Sequence, residues 1–259
     1  MLRITFDANV WKPAAAPHRF AQAPNLAALQ AIQAAAAAGK FLPTVPESVF
    51  TLEAVKEALR VRFSSETASG LKADGHADGT MKIGRPDAAA LPRTHPEGSP
   101  HLARFWEDAL ISRFKLLRCP RLVLSGDAEL RNEWFIPASY DVVKRFDAFS
   151  RGIESTGCGL SRLHAIEAKE ARAKPPWHEA IAAATVPLAT AITKAVAEWV
   201  DGDTVAAHYA YANDYICTTN AGVGGAHSIM STQNRDTVLR RINIRFLEPD
   251  ELAAMLAKF

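Results

Sequence analysis

Four acidic residues in this chain of 259 residues stand where a carboxylate can do chemistry: Asp7, Glu47, Glu53 and Asp203. Asp7 follows Arg3-Ile4-Thr5-Phe6, which alternates as a strand does, so its side chain is expected at the carboxyl end of that strand. Glu47 and Glu53 lie near the start of a helix entered through Pro46. Asp203 is expected to head a helix of small and aromatic residues running to about Tyr211, followed by the strand formers Tyr215 to Thr218. Strand ends and helix starts gather on one edge of an open α/β sheet, where ligands bind. Carboxylates crowded there repel one another unless a cation neutralises them, and oxygen ligands that leave room for water suit Mg²⁺ or Mn²⁺ rather than zinc. Such an ion activates water and polarises a phosphoryl oxygen, so no serine, cysteine or histidine nucleophile is required.

Each acid also has a plainer role open to it. Asp203 can cap its helix, Glu47 or Glu53 can favour a helix dipole, and Asp7-Ala8-Asn9 can be a turn. Arg113, Lys115, Arg118 and Arg121 alternate with Phe114 and Leu116 at the end of an expected helix from about Leu102 to Leu117. That pattern can grip a phosphate backbone, and it equally describes a solvated helix face. The histidines show no HxxxH or HExxH spacing, which leaves His164, His178 and His208 as core or surface residues.

The elements needed to position these groups follow from periodicity. A helix is expected from Leu26 to about Ala38, capped by Asn25 and ended at Gly39, then an extended segment from Phe41 to Val45. Further helices are expected around Tyr140 to Arg151, Ser161 to Ala173, and His178 to Val200, the last kinked by Pro187. A strand from Ile242 to Leu247 and a helix begun by Pro249 close the chain. Between Ser64 and Pro100 glycine and proline interleave, which reads as an inserted loop or β-arm over residues 64–100. Alternating strands and helices imply one domain over residues 1–259 with a mainly parallel sheet between helical layers.

Net charge is only +2, so no global basic field marks a nucleic-acid binder, although a local patch is compatible with it. Three widely spaced cysteines without a CxxC pair speak for a reducing cytoplasm and against a zinc site. No signal peptide or apolar run of membrane length is read, so a cytoplasmic protein without membrane contact is expected.

Taken together, Phe6-Asp7-Ala8-Asn9-Val10, Ser48-Val49-Phe50-Thr51-Leu52-Glu53, and Asp203-Thr204-Val205-Ala206-Ala207-His208 followed by Tyr215-Ile216-Cys217-Thr218-Thr219-Asn220 resemble the acidic motifs of the PIN domain family. The closing stretch Asn243 to Leu252 fits the same pattern, whereas Ser64 to about Leu160 has no counterpart in it beyond generic helices. The resemblance implies a three-layer α/β/α sandwich and a Mg²⁺- or Mn²⁺-dependent nuclease, most often an endoribonuclease. It carries over Asp7, Glu53 and Asp203 as metal ligands, with Glu47 competing for the second place and Asn220, with Thr218 beside it, at the fourth. Asn220 replaces a common aspartate, so a catalytically silent module that binds nucleic acid or protein is the alternative. RNA is the implied substrate, held by the basic residues, and an antitoxin-like protein or a second copy in a homodimer are the implied protein partners.

Overall fold

The computed structural model describes residues 1–49, 72–75, 81–84, 100–119, 132–170, 186–220, 228–239 and 242–258. Its centre is a five-stranded, all-parallel sheet of β1 (Leu2–Phe6), β2 (Phe41–Pro46), β5 (Lys115–Leu117), β6 (Tyr215–Cys217) and β7 (Phe246–Leu247). In space these run β5-β2-β1-β6-β7. The chain therefore builds outward from β1 in one direction, then returns to its other side. The switch point falls between β1 and β6, and the crevice beyond the carboxyl ends of these two strands is where an open α/β sheet binds ligands.

Both faces of the sheet are covered, and the strands read accordingly. On β5 and β6 consecutive apolar residues face opposite sides, Leu116 and Cys217 into one hydrophobic cluster, Leu117 and Ile216 into the other. The first cluster takes in α1 (Trp11–Ala15), α2 (Leu26–Ala37), α3 (Pro100–Ile111) and the closing helix α7 (Pro249–Leu256) through Trp11, Ile32, Trp106 and Leu252. The second takes in α4 (Tyr140–Ser155) through Phe146 and Ile153. The result is the expected three-layer α/β/α sandwich. A shorter helix, α5 (Ser161–Glu170), packs on the long helix α6 (Val186–Ala210).

α6 has 25 residues and joins both clusters. Ile192, Val196 and Trp199 in its first half belong to the first, and Val205, Ala206 and Ala210 in its second half belong to the other. This corrects one expectation. The segment around Asp203 is the interior of one continuous helix and not a helix start, so Asp203 does not cap it. Of the helix expected from His178 to Val200, residues 178–185 lie outside the described residues, and Pro187 stands at the start of the described part. α6 ends by placing Ala212 in a left-handed conformation (φ 52°), with the Asn213 N–H donating to the His208 carbonyl.

Other boundaries moved for local reasons. Lys115 and Leu116 belong to a strand and not to the helix before them, because the chain reverses at Arg113 (φ 61°). Asn25 stands at the head of α2 but makes no side-chain capping bond, and the closing strand shortens to Phe246–Leu247 because Asn243 is left-handed (φ 62°). Gly39 does adopt the left-handed turn expected of it (φ 72°). Of the insertion, the described part is an antiparallel pair, β3 (Lys72–Gly75) and β4 (Met81–Gly84), separate from the main sheet. Among the described residues no helix is long and apolar enough to cross a membrane. All three cysteines are buried and unpaired, and burial pushes the thiols of Cys119 and Cys217 far up.

A polar layer lies between β1, β2 and the end of α6. Asn213 Nδ2 donates to Thr5 Oγ1 at 2.8 Å and to Thr44 Oγ1 at 2.9 Å, Thr44 Oγ1 donates to the Ile4 carbonyl, and Thr5 Oγ1 meets His208 Nδ1 at 3.0 Å. Burial lowers the His208 pKa to about 3, so the ring is neutral at physiological pH. Because the unfolded ring protonates near 6.5, His208 supports the fold fully above that value. Its contribution shrinks as pH falls from 6.5 towards 3. Replacing Asn213 removes one hydrogen bond from each of two buried hydroxyls, and Asn213→Ala is expected to cost about 2 kcal/mol in urea unfolding at neutral pH.

Candidate functional site

The carboxyl end of β1 is closed by hydrogen bonds that begin with Asp7. Its N–H donates to the Cys217 carbonyl, continuing the pairing with β6, and its carbonyl accepts from Val10 and Trp11 to start α1. The side chain is therefore held at the switch point, 2% exposed. Thr218 Oγ1 donates to Asp7 Oδ2 at 2.7 Å, and the Ala8 N–H donates to Oδ1, also at 2.7 Å. These bonds, with the charge of Arg235, favour the carboxylate. Desolvation outweighs them and raises the Asp7 pKa above its ordinary value.

The second member of the site is Asp201, which was not singled out from the sequence. It lies in α6 between the two halves that enter opposite clusters, one helical turn from Glu198. Its pKa is raised well above the ordinary value by burial first, then by the charges of Asp7 and Glu198. The only signal for it in the chain is Asp201-Gly202-Asp203, two acids on either side of a glycine, a pattern that locally matches a helix start headed by Asp203. Gly202 brings α6 close to the turn before α5: a Cβ there would meet the Gly159 Cα at 3.2 Å. Glycine at 202 thus permits this approach, while Gly159 supplies the left-handed turn (φ 63°) it packs against.

Arg235 supplies a positive charge to this edge. It opens a π-helical stretch, Arg235–Leu239, after the helical turn Thr232–Asn234, and π-helical turns recur at functional sites. Its Nη2 donates to the Asn220 carbonyl at 2.6 Å, and its guanidinium stacks on Phe246 at 4.3 Å. Asp7, Asp201 and Glu248 all favour its charged form, against a larger effect of burial. Arg235 belongs to no motif recognisable in the chain, whereas Glu248 falls within the closing stretch Asn243 to Leu252. Asn220 sits beside this group as expected, its N–H donating to Thr218 Oγ1 at 2.9 Å.

Glu47 and Asp203 occupy a neighbouring part of the same edge. Glu47 follows β2 as the first residue of a helical turn, 4% exposed, accepting from the Cys119 N–H at 3.2 Å and pairing with Arg118 at 3.3 Å. Burial nonetheless lifts its pKa to about 7. Asp203, buried in α6, acts with Glu47 on the Cys119 thiol and so lies on this side. Arg118 also stacks on Phe135 at 3.6 Å, and its N–H donates to Tyr211 Oη.

The basic residues do not form one patch. Arg118 stands at the carboxyl end of β5, whereas Arg113 precedes that strand at the amino edge, so close to Gly39 that a Cβ there would lie 2.6 Å from its Nη1. Lys115 Nζ donates to the Glu133 carbonyl. Arg121 and Glu53 lie outside the described residues.

Among the described residues no group of three or more histidines, cysteines, aspartates or glutamates could by itself hold a metal ion. Asp7 and Asp201 are nonetheless two carboxylates close enough for the charge of Asp7 to raise the proton affinity of Asp201. That fits a largely hydrated Mg²⁺ or Mn²⁺ bound through one or two carboxylates, and does not fit a closed protein cage. No known family model matches this chain, and neither a curated protein nor a solved structure matches it.

The raised Asp7 pKa fixes the sign of a stability test. The native state holds its proton to higher pH than the unfolded chain, which releases it near 3.8, so Asp7 supports the metal-free fold at low pH and burdens it once charged. Asp7→Asn is expected to match the parent in thermal unfolding at pH 4. At pH 8 it should exceed the parent by roughly 2–4 °C for each kcal/mol relieved.

Proposed function

We propose that this chain is a divalent-metal-dependent nuclease of PIN-like type, an endoribonuclease that hydrolyses phosphodiester bonds with Mg²⁺ or Mn²⁺. The observation that carries the proposal is the burial of Asp7 at the switch point of the parallel sheet, where its charge adds to the burden on Asp201. The bound ion would polarise a phosphoryl oxygen and lower the pKa of an attendant water. The chain's own part is to hold and orient. Thr218 and the Ala8 N–H fix the Asp7 carboxylate in one rotamer, and Asn220 stands on Thr218 within the same group. Arg235 and Arg118 bring positive charge to the two sides of the edge, which favours approach of a phosphate.

A second reading, a catalytically silent module that binds nucleic acid or protein, is favoured by Arg235. Its charge acts on both Asp7 and Asp201, so the pair already has a compensating cation within the chain.

Incubation of labelled RNA and DNA with Mn²⁺, Mg²⁺ or EDTA separates the two. Cleavage of RNA is expected with either ion and none with EDTA. Asp7→Asn and Asp201→Asn should each lower it at least about a hundredfold, the upper range for loss of a group supporting a metal site. Asp203→Asn, whose carboxylate acts on Cys119, should cost less. Mn²⁺ should also raise the thermal midpoint of the parent and leave that of Asp7→Asn unchanged. No cleavage and no Mn²⁺-dependent shift would establish the silent module.

A further inference from the structure

Next to this edge lies a pocket of about 850 Å³, in the size range of small-ligand sites, whose wall includes Ala8, Asn9 and Thr219. We propose that it seats one nucleotide of a single-stranded RNA, adjacent to the phosphate that is cleaved. The assignment to a cleaved strand rests on the nuclease reading above; the assignment to a nucleotide rests on the pocket itself.

Three features of the lining point to that ligand. One wall is aromatic: Phe20 and Phe105 meet at 5.5 Å between ring centres, and half-buried Phe20 offers a π face on which a base of any sequence can stack. The charge is of one sign, since Lys12 and Arg19 line the pocket and no described aspartate or glutamate does. Arg19 is fixed by Asp108 at 2.9 Å and lies 5.6 Å over Phe105, and Lys12 reaches the same space, so an anion is favoured there. The third feature is Asn25 at the head of the twelve-residue α2. It makes no capping bond, which leaves an amide able both to donate and to accept at a base edge, beside a helix start that favours phosphate.

The pocket is tied to the carboxylates through Asn9. Its Oδ1 accepts from the Thr219 N–H at 3.3 Å, and its Nδ2 donates to Thr218 Oγ1 at 3.5 Å, the hydroxyl that donates to Asp7. A nucleotide seated against Asn9 and Thr219 is therefore linked to Asp7 through a single intervening side chain, Thr218.

The test uses the full chain carrying Asp7→Asn, so that the strand stays intact, and a fluorescein-labelled ten-nucleotide single-stranded RNA followed by anisotropy. In that background Phe20→Leu keeps an apolar side chain but removes the π face, and should weaken binding roughly tenfold. Lys12→Gln should weaken it and reduce the slope of log affinity against log salt by about 0.7. Binding unchanged in both variants overturns the pocket assignment. Should Phe20→Leu lower the thermal midpoint, Lys12→Gln alone decides, with an unchanged salt slope as the refuting result. Cleavage by the parent in Mn²⁺, measured separately, keeps the two readings apart. A parent that cleaves while both variants bind normally refutes the pocket and spares the nuclease. A parent that does not cleave, with variants that lose binding, refutes the nuclease and spares the pocket.

Discussion

A carboxylate taken out of water at the end of the central strand is the constraint around which this molecule is arranged. Asp7 cannot ionise there without help, and each neighbouring element supplies some: Thr218 from the strand beside it, the Ala8 N–H from the following turn, Arg235 from the helical turn beyond β6. A side chain buried only for packing would be apolar at this position, as Ile4 and Phe6 are earlier in the same strand. Keeping a charge here instead costs stability, and strain of this sort collects at functional sites.

The same economy shows one layer below. Thr5 and Thr44 put hydroxyls on the sheet face under the end of α6, where valine would fill the space, and Asn213 and His208 satisfy them. Directional bonds fix the register of helix on sheet in a way that apolar contacts do not. The helix held by that layer is the one that carries Asp201 to Asp7, and the Gly202–Gly159 contact sets how closely it can lie to the turn before α5.

Much of this was legible in the sequence, and the misses have a common cause. β1, α2 and α7 follow from local pattern, because strand alternation, a C-terminal glycine and an N1 proline act over a few residues. Asp7, Glu47 and Asn220 lie on the edge expected for them, since strand ends set their position. Asp203 was given the wrong local setting because short polar residues look alike at a helix start and in a helix interior. Only the two hydrophobic clusters that α6 joins reveal it as continuous. Asp201 and Arg235 needed the fold itself, for their pairing spans the chain and leaves no periodic trace. The basic residues were misjoined for the reverse reason: neighbours in sequence, Arg113 and Arg118 are carried by β5 to opposite edges of the sheet.

The three buried thiols carry a consequence of a different kind. Cys217 is the last residue of β6 and Cys119 follows β5, so both sit under the carboxyl edge, while Cys158 lies in the cluster on the α4 face. An alkylating reagent reaches a buried thiol only when its surroundings open. The molecule thus contains its own set of position-resolved clocks. The labelling rates of Cys119 and Cys217 time the breathing of the edge that holds the acids, and Cys158 times the layer behind it.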